Sequence, residues 1–383
     1  MKHKKLLIIS HTEHYLDENQ QVVGWGSTVA EINYLADFWE EVVHIGCFYY
    51  QSAPQSALPY TKKNIRFEPI PPFGGKSVAS KIGILLKIPR IISTVIQNQK
   101  NVSEVQLRLP TSMGLFLLPL FAFFLPRKYT LWVKYAGNWN QLNPPLSYRI
   151  QRFWLNKNWT KCKVSINGFW TNQPQHCLSF ENPCLTDEQC NRGAQIIESK
   201  NFEGKFNLVF IGRLDDSKGI SIILDALKQI NLEKVNEIHF IGDGDNRKFY
   251  EEKAAFLNEK AVFYGFLSSE KVHQILAKSH FILLPSRSEG FPKVIAEAAC
   301  YGVIPVVSDV GSIAHYINEA NGFVWQISKD LSYESVLKMA LESSNVKLKQ
   351  QSKNLLSIAK MFTFENYRLK LEQYILNNNQ NLL

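Results

Sequence analysis

"HFILLPSRSEGFPKVIAEAACYGVIPVVSD", residues 280–309, is the stretch that decides how the chain folds. An apolar run ends at Pro285, a polar turn follows, and beyond Pro292 the apolar residues change their period. Val294, Ile295, Ala298 and Ala299 recur at helical spacing and form one face that packs on a sheet. Pro292 suits the first turn of that helix, and Gly302 with Pro305 marks its end. A second apolar run, "VIPVVSD" at 303–309, completes a strand–helix–strand unit.

The same rhythm extends in both directions. "FNLVFIG" (206–212), "EIHFIG" (237–242), "AVFYG" (261–265) and "FVWQI" (323–327) read as further strands, with helical segments between them. In the first half "KLLIIS", "EVVHIGCF", "IRFEPI", "EVQLRL", "YTLWVKYA" and "KVSING" read as strands, and "STVAEINYLADFW" (27–39) as the clearest helix. Regular alternation predicts an α/β fold with parallel sheets covered on both faces. The expected architecture is two doubly wound, Rossmann-like domains facing a central cleft, at the strand ends where open parallel sheets bind ligands. The expected boundaries are 1–190, 191–361 and a terminal helical segment, 362–383, packing back toward the first domain. The polar stretch 185–205 reads as the linker, and Thr363 as the N-cap of the last helix.

Composition supports two cores: 383 residues, 45% of them hydrophobic. The net charge of +9 favours anionic partners, but no compact basic run beyond Lys2, Lys4 and Lys5 points to nucleic acid. Six cysteines without CxxC spacing read as reduced packing residues of a cytoplasmic protein, not as a zinc site. The opening apolar run is too short for a signal peptide. "GLFLLPLFAFFLP" (114–126) is too short to cross a bilayer and reads as a buried helix. With the basic, apolar stretch at 81–96 it leaves room for a peripheral contact at the inner face of the cytoplasmic membrane.

Chemistry gathers at predicted strand ends. Glu289 and Gly290 precede the helix of the opening stretch, and Glu297 lies off its packing face beside Lys293. Two readings compete. Glu297 pairs with Lys293, worth about 0.2–0.5 kcal/mol, or both carboxylates accept hydrogen bonds from sugar hydroxyls while amides at 290–295 hold a diphosphate. Arg213 and Lys218, in "IGRLDDSKGI", put two cations at the same sheet edge, as a phosphate site requires. In "IGDGDN", Asp243 and Asp245 read as turn residues rather than metal ligands. In "VVGWGSTVAEI", Gly24 and Gly26 permit close backbone approach, and Thr28 with Glu31 has capping-box spacing. His11 and His14 follow the first strand, where they either face the cleft or, as a lone histidine usually is, are structural.

"FIGRLDDSKGI", "IHFIGDGD", "VFYGFL", the stretch from Phe281 to Ile317 and "NGFVWQI" occur in the order seen in the retaining glycosyltransferases of family 4 (glycosyl transferases group 1). The resemblance covers about residues 206–327 and implies the GT-B fold. It implies a nucleoside-diphosphate sugar as donor substrate, no other cofactor and no metal. Carried over by position, Arg213 and Lys218 neutralise the diphosphate, Glu289 stands beside the donor sugar and Glu297 binds the ribose. Gly290, Phe291, Pro292, Val294 and Ile295 line that pocket, while Gly242, Gly244, Gly265 and Phe266 frame the base. Gly24 and Gly26 are similar to the loop that closes over the diphosphate. Many relatives carry a histidine where this chain has Tyr135, Gly137 and Asn138 behind Lys134, so the acceptor side departs from the pattern. The implied activity is sugar transfer to an acceptor hydroxyl with retention, in polysaccharide or glycolipid assembly, on a glycan or lipid-linked acceptor. A nucleotide-sugar epimerase and a non-catalytic sugar-nucleotide-binding protein are the alternatives.

Overall fold

The computed structural model describes residues 4–73, 78–125, 128–141 and 143–377; Lys2, Pro126 and the end of the 362–383 segment lie outside them. The chain divides into two compact units, Met1–Phe180 with Arg368–Leu383, and Glu181–Tyr367.

The sheet of the first unit contains β1 (Lys5–Leu16), β2 (Val22–Trp25), β3 (Glu41–Phe48), β4 (Ala57–Pro59), β5 (Ile65–Ile70), β6 (Glu104–Leu109), β7 (Thr130–Tyr135), β8 (Lys163–Asn167) and β9 (Cys177–Phe180). Parallel pairing runs β5-β3-β1-β6-β7-β8-β9. β2 and β4 are antiparallel additions at the far end of β1, a departure from the wholly parallel sheet expected. Helices α1 (Gly26–Leu35), α2 (Val78–Gln99), α3 (Gly114–Pro119) and α4 (Leu146–Asn156) cover it. Alternate residues of β1 explain one core: Leu7 and Ile9 join Val105, Leu107 and Val133 of the neighbouring strands, and Ile91, Leu117 and Leu155 of the helices seal them.

Glu31 does not form the capping box its spacing implied. α1 begins at Gly26 without a side-chain cap. Glu31 is buried instead, with one carboxylate oxygen 2.8 Å from Arg108 Nη2 and the other 2.6 Å from Lys134 Nζ. Pairing wins over capping because an unpaired buried carboxylate is far costlier than a missing cap.

His14 is structural, as a lone histidine usually is. Its Nδ1 lies 3.0 Å from the Thr12 carbonyl and donates to it, so Nε2 accepts from the Tyr60 hydroxyl at 2.8 Å. Tyr60 accepts from His44 Nδ1 at 2.5 Å, and His44 Nε2 accepts from Ser10 at 2.7 Å. Burial lowers the His14 pKa to about 4 and pushes His44 well below its ordinary value, which keeps this chain of hydrogen bonds neutral.

The second unit contains β10 (Phe206–Ile211), β11 (Val235–Ile241), β12 (Ala261–Gly265), β13 (Phe281–Leu284), β14 (Ile304–Ser308) and β15 (Phe323–Trp325). All are parallel, in the order β12-β11-β10-β13-β14-β15. Its helices are α5 (Asp187–Ser199), α6 (Ile220–Gln229), α7 (Arg247–Lys253), α8 (Ser269–Lys278), α9 (Lys293–Cys300), α10 (Ile313–Tyr316), α11 (Tyr333–Glu342), α12 (Asn345–Met361) and the start of α13 (Phe364–Leu371). Residues 185–205, read as a linker, hold α5, started by a capping box of Thr186 and Gln189 and buried through Cys190, Gly193 and Ile197. Thr363 does cap the last helix: its hydroxyl accepts from the Asn366 amide at 3.2 Å. None of the six cysteines is in a disulfide, and five of them are buried.

Lys200, at the end of α5, is buried and donates to the Ser279 carbonyl. Burial depresses its pKa from 10.5 to about 7, so its contribution to stability is full above 10.5 and is lost as pH falls through 7. Urea unfolding of the wild type is therefore expected to show stability rising from about pH 7 to about pH 10, with Lys200→Met showing a flatter profile.

Candidate functional site at the strand-order reversal

Strand order reverses between β10 and β13, neighbours in the sheet that run on to opposite edges. Crossovers from the two strands fold back over opposite faces, which leaves a crevice beyond their carboxyl ends. The segments that follow both strands carry the charged residues singled out in the sequence.

After β10 the chain turns sharply. The Leu214 amide donates to the Asp243 carbonyl at 2.9 Å, tying this turn to the one after β11. Asp215 organises the rest: its Oδ1 accepts from Ser217 Oγ at 2.5 Å and the Lys218 amide at 3.1 Å, and its Oδ2 meets Arg213. Burial alone would raise the Asp215 pKa; the hydrogen bonds from Ser217, Arg213 and Lys218 outweigh it and hold the carboxyl below its ordinary value. Arg213 is 70% exposed, so most of its donor fork faces solvent.

Lys218 reaches across the reversal. Its Nζ lies 2.5 Å from Glu289 Oε1, in the segment between β13 and α9. Lys218 is 30% exposed and Glu289 only 11%, so the pair is a partly desolvated contact rather than a loose surface bridge. The two segments are also joined through main chain, the Arg287 amide donating to the Ser217 carbonyl at 2.9 Å.

Glu297 does not pair with Lys293. The Lys293 ammonium donates to the Pro183 carbonyl at 2.9 Å, and no Lys293–Glu297 ion pair occurs among the described residues. Burial raises the Glu297 pKa, and the positive charge of Lys293 only partly offsets this. The surface-helix reading of the two glutamates therefore fails for Glu297, which is half-buried and stands near a charge without bonding to it.

The other expected residues divide. Gly290 precedes α9, and its carbonyl accepts from the Ser312 amide at 2.9 Å and from Ser312 Oγ at 3.0 Å. Phe291 is a core residue, stacked on Phe362 with centroids 4.5 Å apart. Pro292 is the N-cap of α9. The Ile295 amide already donates to the Pro292 carbonyl at 3.1 Å, whereas the Val294 amide meets no acceptor among the described residues. Val294 is thus the better-placed of the two toward an anion. Gly242 and Gly244 follow β11 and pack their backbone against Gly212 and Leu214. Asp243 Oδ1 accepts from the Gly244 amide at 2.8 Å, which is turn chemistry. Gly265 ends β12, and Phe266 beyond it is 63% exposed. Gly24 and Gly26 belong to the first unit, where a Cβ would stand 2.5 Å from His14 and from the Ser56 carbonyl respectively. Close packing requires a glycine at both positions. Among the described residues no cluster of three or more His, Cys, Asp or Glu is arranged to hold a metal.

Sequence reasoning missed the support beneath Glu289. Gly311 has φ +63°, and a Cβ there would lie 2.1 Å from the Glu289 carbonyl. The signal was present as a glycine directly before Ser312, but it resembled any loop. Ser286 was also missed: its hydroxyl, buried just past β13, has no hydrogen-bond partner among the described residues.

Residues 192–355 match the family described as glycosyl transferases group 1. An uncharacterized 41.2 kDa protein in the cps region of Klebsiella pneumoniae is 30% identical over 132 residues, 34% of this chain and 36% of that one. The 2-deoxystreptamine N-acetyl-D-glucosaminyltransferase of Niallia circulans is 37% identical over 109 residues, 27% of this chain and 28% of that one. The chain therefore spans only about a third of the length of these relatives. Over the whole chain, Anabaena Alr3699/HepE in complex with UDP and glucose has a similar structure, with TM-score 0.67 and 16% identity, covering 98% of this chain and 100% of that one.

Replacing Gly311 with Ala is expected to cost about 1–3 kcal/mol in urea unfolding, because the new Cβ meets both positive φ and the Glu289 carbonyl.

Two α/β units built on mainly parallel sheets, the second with charged residues collected at a strand-order reversal, thus make this a chain of the GT-B fold whose residues 192–355 match glycosyl transferases group 1.

Proposed function

We propose that the protein is a retaining glycosyltransferase of family 4 that moves a sugar from a nucleoside diphosphate to an acceptor hydroxyl. The observation that carries this reading is the Lys218–Glu289 contact across the strand-order reversal, with Arg213 exposed beside it. A diphosphate entering there competes for the Lys218 ammonium. Glu289 is then released to accept hydrogen bonds from the donor sugar. The Val294 amide at the start of α9 adds a donor for the same anion, and Glu297 takes the ribose hydroxyls.

In the transfer, the bond between the anomeric carbon and the diphosphate oxygen breaks as the acceptor oxygen bonds to that carbon on the same face. The acceptor proton passes to the leaving phosphate, and the nucleoside diphosphate departs. Arg213 and Lys218 stabilise the charge that develops on it, without a protein-held metal. The activities named for relatives support the class. They include the N-acetylglucosaminyltransferase above and glycogen and starch synthases. A cytoplasmic role in polysaccharide or glycolipid assembly, on a glycan or lipid-linked acceptor, fits that class.

A thermal-shift series with uridine, guanosine and adenosine diphosphates is expected to show selective stabilisation by one base, by mass action; no shift with any of them would refute the reading. Lys218→Ala is expected to lower kcat/KM by about a hundredfold or more, and turnover is expected to survive EDTA. Glu297→Gln should chiefly raise the donor KM and Glu289→Gln chiefly lower kcat. Because the Glu297 pKa is raised, acidification neutralises it sooner than an ordinary glutamate. Wild-type donor affinity should therefore fall on the acid side of neutrality, and Glu297→Gln should flatten that limb.

A further inference from the structure

Charge is spread unevenly along the chain. Residues 69–180 hold fourteen lysines and arginines against one acid, Glu104, so this segment carries more than the whole surplus of +9. No Asp or Glu occurs between Glu104 and Glu181.

In the middle of this segment α4 buries Gln151 and Leu155 and presents an apolar stripe to solvent. Leu146, Ile150 and Phe153 are 68%, 45% and 53% exposed and recur at helical spacing along one line. Arg149 and Lys157 flank them, both exposed, and a shallow groove of about 460 Å³ runs between Leu146 and Asn156. The apolar surface continues through aromatic contacts. Phe153 meets Trp159 at 5.4 Å, Trp159 meets Trp154 at 4.9 Å, and Trp154 meets Phe123 at 5.8 Å. Phe123 and its neighbour Phe124 are 68% and 75% exposed. A contiguous apolar surface rimmed by charge marks an interaction site.

We propose that this face of the first unit docks on the surface of an anionic lipid bilayer. Ile150, Phe153 and the Phe123–Phe124 pair enter the headgroup boundary while Arg149 and Lys157 meet lipid phosphates. Aliphatic residues between cations fit a lipid interface, where apolar insertion and charge attraction add. Nucleic acid would meet the cations but leave Leu146 and Ile150 in water. The mode is surface attachment, since no described helix is long and apolar enough to cross a membrane. The site overlaps the stretches the sequence favoured only in part: Phe123 and Phe124 close 114–126, whose Leu117 and Leu118 belong to the core, as do Ile91 and Val95 of 81–96. It lies outside the donor site, and its test does not depend on that reading.

The experiment is sedimentation of the whole protein, without nucleotide, with vesicles of phosphatidylcholine alone or of equal parts phosphatidylcholine and phosphatidylglycerol. The wild type is expected to pellet with the anionic vesicles only, and less so at high salt. Ile150→Ser with Phe153→Ser, and separately Arg149→Glu with Lys157→Glu, should each lower partitioning by about tenfold or more, with melting temperatures unchanged. If the serine pair melts early, the charge-reversal pair decides. A wild type that stays in the supernatant, or pellets equally with both vesicles, overturns the proposal. So do variants that pellet like wild type. A wild-type dimer that ignores vesicles and is split by the serine pair, read by light scattering, would assign the face to a second copy of the chain instead.

Discussion

A parallel sheet needs a crossover between every pair of strands, and crossovers of one hand force a gap wherever the strand order reverses. In the second unit that reversal falls between β10 and β13. Their successor segments cannot be held apart by a helix, so they settle on each other. The Arg287 amide bonds the Ser217 carbonyl, and Gly219 brings its backbone so close to Pro285 that a Cβ would stand 2.3 Å from that carbonyl. The Lys218–Glu289 contact is the charged part of the same meeting. Remove the reversal and these residues would sit at separate points along the sheet edge.

The two units treat buried polarity differently. Around the crevice of the second unit, polar side chains mostly hold turns and leave charge near the surface. The first unit locks charge inside. Glu31 on α1 holds Arg108 at the end of β6 and Lys134 at the end of β7, so one carboxylate fixes a helix against two strands. Lys134 stands directly before Tyr135, Gly137 and Asn138. It is therefore already committed to a partner. A buried network of this kind is a register device more than a source of net stability, since its desolvation offsets much of the attraction.

Most strands were legible because a sheet covered on both faces leaves unbroken apolar runs, as in "FNLVFI" and "FILL". The Arg213, Lys218 and Glu289 set was legible as residue types at strand ends. The contact between Lys218 and Glu289 was not, because strand order brings together residues 71 positions apart. α5 was misread as a linker because it buries small residues, Cys190 and Gly193, that give no apolar period. β2 was read as a loop because four residues around a glycine resemble a turn until a neighbour accepts them. The stripe on α4 shows the reverse limit: helical periodicity reports a face, and only packing says whether that face is inside.

At the crevice, loops rest on loops through main chain. A Cβ at Gly242 would stand 2.0 Å from the Gly212 carbonyl, one at Gly244 2.5 Å from that of Leu214, and one at Gly311 2.1 Å from that of Glu289. With no side chain inside these joints, the ledge keeps its shape whatever residues rim it. Outward positions such as Phe266 can be substituted without disturbing these joints, while the glycines cannot. Substitution along the rim would therefore change the chemistry of the crevice long before it changed the crevice's shape.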